Sequence, residues 1–257
     1  MRALARPSSG FLLILALLLL WEVSARFDWM NSPNWPPLSV VLAALARDSL
    51  GGELPLLLGG TLWRMFAGLL AGGAAGVIVG LLFASLPVTR RLFGLTVELI
   101  RPIPIPAIIP PLVLFLGLDN TMKVTVVGLT AFFPVLTNTM QGVRAVEADA
   151  LAMGRTFGIG FWRRSLHIVL PACLPYVFAG FRVALALALV VTVVAEMIAG
   201  EQGVGHYLVL MQFAGRAPEM YATVILLAVL GYGLNRGFLA FERRALHWYF
   251  ALGAQRN

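Results

Sequence analysis

The chain has 257 residues, 60% of them hydrophobic and 12% charged, with a mean hydropathy of +0.88. A soluble domain carries about a quarter charged residues, so the composition excludes an ordinary soluble protein and leaves room for about six spans of roughly 20 residues. The formal charge of +7 then reports loop placement rather than a nucleic-acid partner, and the single Cys173 excludes an internal disulfide or a multi-cysteine metal site.

At the amino terminus, Arg2, Arg6, the apolar run Phe11–Leu20 and the small triplet Val23-Ser24-Ala25 imitate a secretory signal peptide. A retained first span over Phe11–Ala25 is expected instead, because the later spans then alternate correctly. The prolines and tryptophan of Asn31–Pro37 predict an extended interfacial segment. A helix over Ser39–Leu50 follows, closed by Gly51-Gly52, and Glu53–Gly60 leads into a second span over Thr61–Leu86. Gly68, Gly72, Gly76 and Gly80 recur every four residues, which puts them on one helix face and predicts close helix approach rather than phosphate binding.

A third span is expected after Arg90-Arg91. It contains Pro102, Pro104, Pro106, Pro110 and Pro111, which remove backbone donors and break regular helix. A bilayer tolerates that only where protein or a watery cavity satisfies the freed groups, so this segment is expected to face the interior. The remaining spans read as Met122–Gly142, Pro175–Ala199 and Tyr221–Phe241.

Basic residues of short loops mark the cytosolic side. With the amino terminus inside, Arg90, Arg91, Arg144, Arg155, Arg163, Arg164, Arg243 and Arg244 are cytosolic, while Arg26, Arg47, Lys123 and Arg216 lie outside among Asp28, Asp48, Glu53, Asp119, Glu201 and Glu219. The insert Ala145–Pro171 is therefore cytosolic. It reads as a short helix over Ala148–Phe157, a turn at Gly158, and a second basic helix ending at Pro171.

Ionisable groups in spans are costly and often functional. Glu98 and Arg101 stand at i and i+3, close enough to pair; Arg182 lies about two turns into the fifth span and Glu196 near its outer end. Each reads either as a structural pair or as a contact on the path of an anionic cargo, which guanidinium groups bind in fixed geometry. The one lysine, Lys123, follows LDNTM, so the chain has no P-loop and any ATP must be bound by another subunit.

Several segments together resemble permeases of the nitrate, sulfonate, taurine and bicarbonate branch of bacterial ABC importers: TLWRMFAGLLAGGAAGVIVGLL (61 to 82), ELIRPIPIPAIIPPLVLFLGLDN (98 to 120), FFPVLTNTMQGV (132 to 143), VLPACLPYVFAGFRVAL (169 to 185), AEMIAGEQGVGHYL (195 to 208) and FERRALHW (241 to 248). The family's docking motif runs EAA, three residues, Gly, nine residues, Ile, one residue, Leu-Pro. Aligning it on Glu147-Ala148-Asp149 puts the glycine at Met153 and fails. Anchoring it on Gly158, Ile168, Leu170 and Pro171 puts Ala152, Met153 and Gly154 in the EAA positions, without the motif's glutamate.

The resemblance implies an all-α integral membrane protein of the type I ABC importer permease fold, with about six transmembrane helices and both termini cytosolic. It implies one permease domain over 1–257, with a periplasmic segment near 30–60, core spans over 61–242 and a coupling loop over 145–171. Ala152, Met153, Gly154, Arg155, Gly158, Ile168, Leu170 and Pro171 would contact the ATPase, with small residues at 152, 154 and 158 allowing close packing. Gly203 and Gly205, in Glu201–Gly205, would form a gate or receptor contact. Two ATPase subunits holding ATP and Mg, a second permease copy, a periplasmic or lipid-anchored binding protein and the bacterial inner membrane complete the expected assembly.

Two other classes fit less well. An intramembrane enzyme needs a nucleophile and base, paired aspartates or clustered histidines at membrane depth, yet only Ser85 lies near a span, the aspartates fall in loops, and His167, His206 and His247 are scattered. An ATP-independent carrier needs titratable groups at mid-membrane, which the spans almost lack.

Overall fold

The computed structural model describes residues 7–85, 95, 99–100 and 102–249. Every regular element among them is helical: α1 (Pro7–Arg26), α2 (Leu38–Leu50), α3 (Glu53–Ser85), a 3-10 turn (Ile105–Ile108) leading into α4 (Ile109–Leu116), α5 (Asn120–Arg144), α6 (Ala148–Thr156), α7 (Phe161–Arg164), a π turn (Ser165–Val169), α8 (Leu170–Ala199), α9 (Val204–Phe213) and α10 (Ala217–Ala245). This is what lipid demands, since a helix satisfies its own backbone polar groups. The helical stretches Glu53–Phe83, Asn120–Arg144, Ser165–Ala199 and Ala217–Ala245 are long and apolar enough to cross a membrane, and α1 supplies a further 20-residue apolar helix over the expected first span.

Three boundaries differ from expectation. The second span does not begin at Thr61: α3 starts at Glu53 and runs 33 residues, about 50 Å at 1.5 Å per residue. Pro55 falls in its first turn, where a backbone N–H has no intrahelical partner to lose. The projecting end packs Leu54 against Tyr207 and Met211 of α9.

In the third span, Leu95, Leu99 and Ile100 are helical, and the 3-10 turn follows, leading into the eight-residue α4, whose first turn takes up Pro110 and Pro111. Ile109 is fully buried there, while Leu114 and Phe115 are among the most exposed residues of the chain, so one face of the segment is interior. Glu98 and Arg101 lie outside the described residues.

The second helix of the insert does not end at Pro171. It runs from Phe161 into α8, and Pro171 occupies the first turn of α8. The π turn immediately upstream accommodates the ring. There the Leu170 N–H donates to the Ser165 carbonyl, five residues back, which shifts the backbone pairing where proline would otherwise meet the carbonyl of residue 167.

The heart of the molecule is α3 against α5, with α8 closing the other side. Met65 and Leu69 of α3, Val127, Ala131 and Val135 of α5, and Ala184, Leu185 and Ala188 of α8 form one buried cluster. Lipid is as apolar as these side chains, so close packing rather than water exclusion must hold the helices together. The glycine face provides it. A side chain at Gly68 would meet Val127, at Gly72 the Gly128 carbonyl, at Gly76 the Phe132 carbonyl, and at Gly80 Thr139. The α5–α8 seam repeats the device, with Gly142 against Cys173 and Gly180 against the Pro134 carbonyl.

At the other end, Trp21, Trp35 and Tyr221 form an aromatic cluster with ring centroids 5.4 to 5.9 Å apart. Trp21 donates to the Pro36 carbonyl at 3.1 Å and Trp35 to Ser24 at 3.0 Å. Val41, Ala44 and Ala222 pack beside them, tying α1 and α2 to the start of α10.

Gly72→Leu is expected to abolish the monodisperse detergent-solubilised peak on size exclusion, because its side chain would enter backbone of α5. Gly59→Leu, on the same helix where nothing lies within 4 Å of an added Cβ, is expected to keep it.

Candidate functional site

Two constellations stand out, a buried ionic node at one end of the helices and the insert at the other. The node begins on α3, where Thr61 and Arg64 share a face at i and i+3. Glu196 reaches them from the last turn of α8 and is completely buried. Its carboxylate accepts from the Arg64 guanidinium at 2.7 Å, from the Thr61 hydroxyl at 2.9 Å, and from the Gly205 backbone N–H at 3.0 Å. The Val204 N–H donates to the Thr61 hydroxyl at 3.1 Å, and Arg64 Nε donates to Asn120 Oδ1 at 2.6 Å. Helices α3, α5, α8 and α9 thus meet on one carboxylate.

The loop Glu201–Gly205 folds over it. Gly203 has φ +120, and a side chain there would enter the Glu196 carboxylate; one at Gly205 would enter the Val193 carbonyl. Glycine is required so that backbone N–H groups at the start of α9 can approach the charge, which the helix N-terminus favours. Of the two readings of Glu196, the structure shows the structural pair, with Arg64 and Thr61 as partners. Gly203 and Gly205 are buried, and the exposed residues of this loop are Glu201 and Gln202. Lys123, placed outside by the arginine count, is a buried residue within the first turn of α5.

Arg182 is also committed. Its Nη2 donates to both oxygens of Glu242, at 2.7 and 2.8 Å, joining α8 to the end of α10. Glu242 is buried and the arginine half-exposed. A third polar group joins α2, α9 and α10: Glu219 accepts from Arg47 and Arg216, each at 2.6 Å, and Tyr207 donates to Asp48 at 2.9 Å. Burial, reinforced by that bond, pushes the Tyr207 phenol up to about 12, so it remains a donor.

In the insert, α6 ends at Thr156 and Gly158 turns the chain with φ +65. Nothing lies within 4 Å of a Cβ built on Gly158, so its requirement is the left-handed backbone, not close packing. The small residue that packs closely is Gly154, whose added Cβ would stand 3.0 Å from Ile168. The structure therefore brings Gly154 and Ile168 together, folding α6 against the helix that leads into α8. Ala152 and Arg155 are exposed, and so are the large apolar Met153 and Phe157, at 60% and 75%, one turn apart on a single face. Leu170 and Pro171 form the first turn of α8.

Thr61, Arg64, Asn120 and Glu242 carry these sites and were not singled out by sequence. Arg64 had a legible signal, a charge one turn inside an apolar span, which lipid obliges to find a partner. Its partner stands 132 positions away, and no local pattern names it.

The described residues form a stack of long apolar helices with a charged node at one end and a two-helix insert between two central spans. The architecture superposes on the MetNI methionine ABC transporter in its inward-facing conformation with a TM-score of 0.67, covering 77% of this chain and 98% of that chain at 17% identity. It superposes on an amino acid ABC transporter crystallised with histidines with a TM-score of 0.64, covering 78% and 97% at 16% identity; both likenesses show the fold. Residues 72–247 match the family described as binding-protein-dependent transport system inner membrane component, and the chain belongs to that family.

Among its relatives, the SsuC protein of Bacillus subtilis strain 168, named for aliphatic sulfonates transport, is 27% identical over 239 residues, 93% of this chain and 87% of its own length. The taurine transport system permease protein TauC of Escherichia coli K12 is 27% identical over 241 residues, 91% and 86%. The formylaminopyrimidine transport permease protein ThiX of Halalkalibacterium halodurans is 28% identical over 223 residues, 86% and 87%. The chain is therefore a binding-protein-dependent transport permease, similar to relatives named for sulfonate, taurine and formylaminopyrimidine transport.

Removing one partner of a buried ion pair leaves an uncompensated charge. Arg64→Leu is expected to lower unfolding stability in micelles by about 3–5 kcal/mol, and the double replacement Arg64→Leu with Glu196→Leu is expected to recover part of that loss. Chemical denaturation followed by tryptophan fluorescence measures both.

Proposed function

We propose that two copies of this chain form the membrane path of an ATP-driven importer in the bacterial inner membrane. Both termini and the insert 145–171 face the cytosol. Two ATPase subunits, which hold ATP and Mg, dock on α6, and a periplasmic or lipid-anchored binding protein delivers a small sulfonate-, taurine- or nitrate-like solute to the outer end. Alternating access follows when the ATPases move the two copies against each other. This chain contributes no ATP site of its own.

The observation that carries this reading is the outer face of α6. Met153 and Phe157 are exposed on a short helix flanked by Arg155, and a soluble loop has no reason to hold two large apolar groups in water. They fit a groove on a partner protein, and Arg155 fits acidic residues at its rim. The packing of Gly154 on Ile168 makes α6 a lever rather than a tether: displacement of the helix is passed directly to the segment that continues as α8. Arg101 and Arg182 stay the basic residues to examine for cargo contact, with Arg182 already held by Glu242.

Gly158→Val is expected to leave the protein in the membrane while reducing ATP-dependent uptake by at least about tenfold, since a β-branched residue at positive φ is strained. Met153→Asp with Phe157→Asp is expected to abolish co-purification with the ATPase. Normal uptake into vesicles by both variants overturns the assignment of α6.

A further inference from the structure

Halfway along α5, Thr130, Phe133, Pro134, Thr137 and Asn138 share one face at i, i+3, i+4, i+7 and i+8. They form one wall of a cavity of about 520 Å³. Val183, Leu187 and Val191 of α8, one per turn, form the other, and Ile105 and Pro106 of the proline-rich turn complete it. Gly180 brings α8 close: a Cβ there would stand 3.1 Å from Asn138 and 3.2 Å from the Pro134 carbonyl. The volume suits a small solute, and a few polar groups on apolar walls are the usual composition of a binding pocket.

The hydrogen-bond inventory of that wall is lopsided. The Thr130 hydroxyl donates to the Val126 carbonyl at 2.9 Å, and the Thr137 hydroxyl to the Phe133 carbonyl at 2.9 Å. Asn138 Nδ2 donates to the Pro134 carbonyl at 2.8 Å, and because that partner is an acceptor, the amide orientation is determined. The donors are thus turned back onto their own helix. What remains for an occupant is mostly acceptor: two hydroxyl oxygens, Asn138 Oδ1, and the Thr130 carbonyl, which Pro134 has no N–H to satisfy. One Asn138 N–H is left over. Phe133 adds an aromatic surface, which attracts cations. No lining residue is ionisable, and the Arg64 and Arg182 guanidinium groups are paired elsewhere.

We propose that this cavity is a cargo-contact site that receives the protonated amine of a small solute, with Thr130, Thr137 and Asn138 accepting its N–H groups and Phe133 supplying the aromatic surface. This rests on the importer reading and narrows it. A sulfonate without an amine offers these acceptors nothing, whereas an aminated one places three donors among them.

The test uses the full-length chain in lipid nanodiscs, with taurine and ethanesulfonate as probes, two sulfonates that differ by the amine. Taurine at saturating concentration is expected to raise Tm by about 2 °C or more, and ethanesulfonate to leave it unchanged. Asn138→Leu with Thr137→Val is expected to remove the taurine shift while the Tm without probe stays in place. Thr137→Ser, which keeps the hydroxyl, is expected to retain the shift.

Equal shifts with both probes, no shift with either, or a taurine shift that survives in the double variant overturns the proposal. The importer reading fails separately: if taurine shifts Tm as expected but vesicles loaded with ATPase and receptor show no ATP-dependent uptake of any sulfonate, the cavity stands and the coupling does not.

Discussion

A carboxylate without access to water organises one end of this protein. Glu196 is completely buried, and an unpaired charge in that position costs several kcal/mol. Every neighbouring element is shaped by the need to compensate it: α3 presents Thr61 and Arg64 together, α5 holds the far side of the guanidinium with Asn120, and the Glu201–Gly205 loop brings two backbone N–H groups to the site. Packing within lipid has weak directional preference. The node supplies direction, because its charge pairing and hydrogen bonds are satisfied in one arrangement of the four helices.

Where charge is absent, approach distance takes over. The α3–α5 seam is built so that backbone meets backbone, with Gly72 against Gly128 and Gly76 against the Phe132 carbonyl. Dispersion between atoms in contact falls steeply with separation, so a glycine face gains more contact per turn than larger side chains could. The same logic, applied to one glycine, appears in the insert, where Gly154 admits Ile168. The node and the α6 contact sit at opposite ends of the continuous helix formed by the π turn and α8, which is held at Glu196 on one side and packed on α6 at the other. The cavity lined by Thr130, Thr137 and Asn138 opens between it and α5.

Much of this was legible before any coordinate. Helical class, the glycine face, the end of α2 at Gly51-Gly52, the turn at Gly158 and the short helix of the insert follow from local rules of periodicity, backbone conformation and capping. Element limits were less legible: the second span was expected from Thr61 and the insert helix to end at Pro171, yet α3 takes Pro55 in its first turn and a π turn absorbs Pro171. For Glu196, read as a structural pair or a cargo contact, the sequence could not name the partner, because pairing and exposure are not local properties. Gly203 and Gly205 let backbone approach that buried carboxylate.

The amino-acid sequence determined, by itself, that this protein is built for a bilayer and that its spans are helical. Those conclusions need only composition and period, which are written along the chain, and its resemblance to importer permeases needs only the motifs it carries. Only the tertiary structure decided which charges are spent on stability, which apolar groups remain exposed on α6, and which polar groups face a cavity. Pairings such as Arg64 with Glu196 and Arg182 with Glu242 join residues 132 and 60 positions apart. Their partners are chosen by helix packing, and helix packing is a property of surfaces that do not exist until the chain has folded.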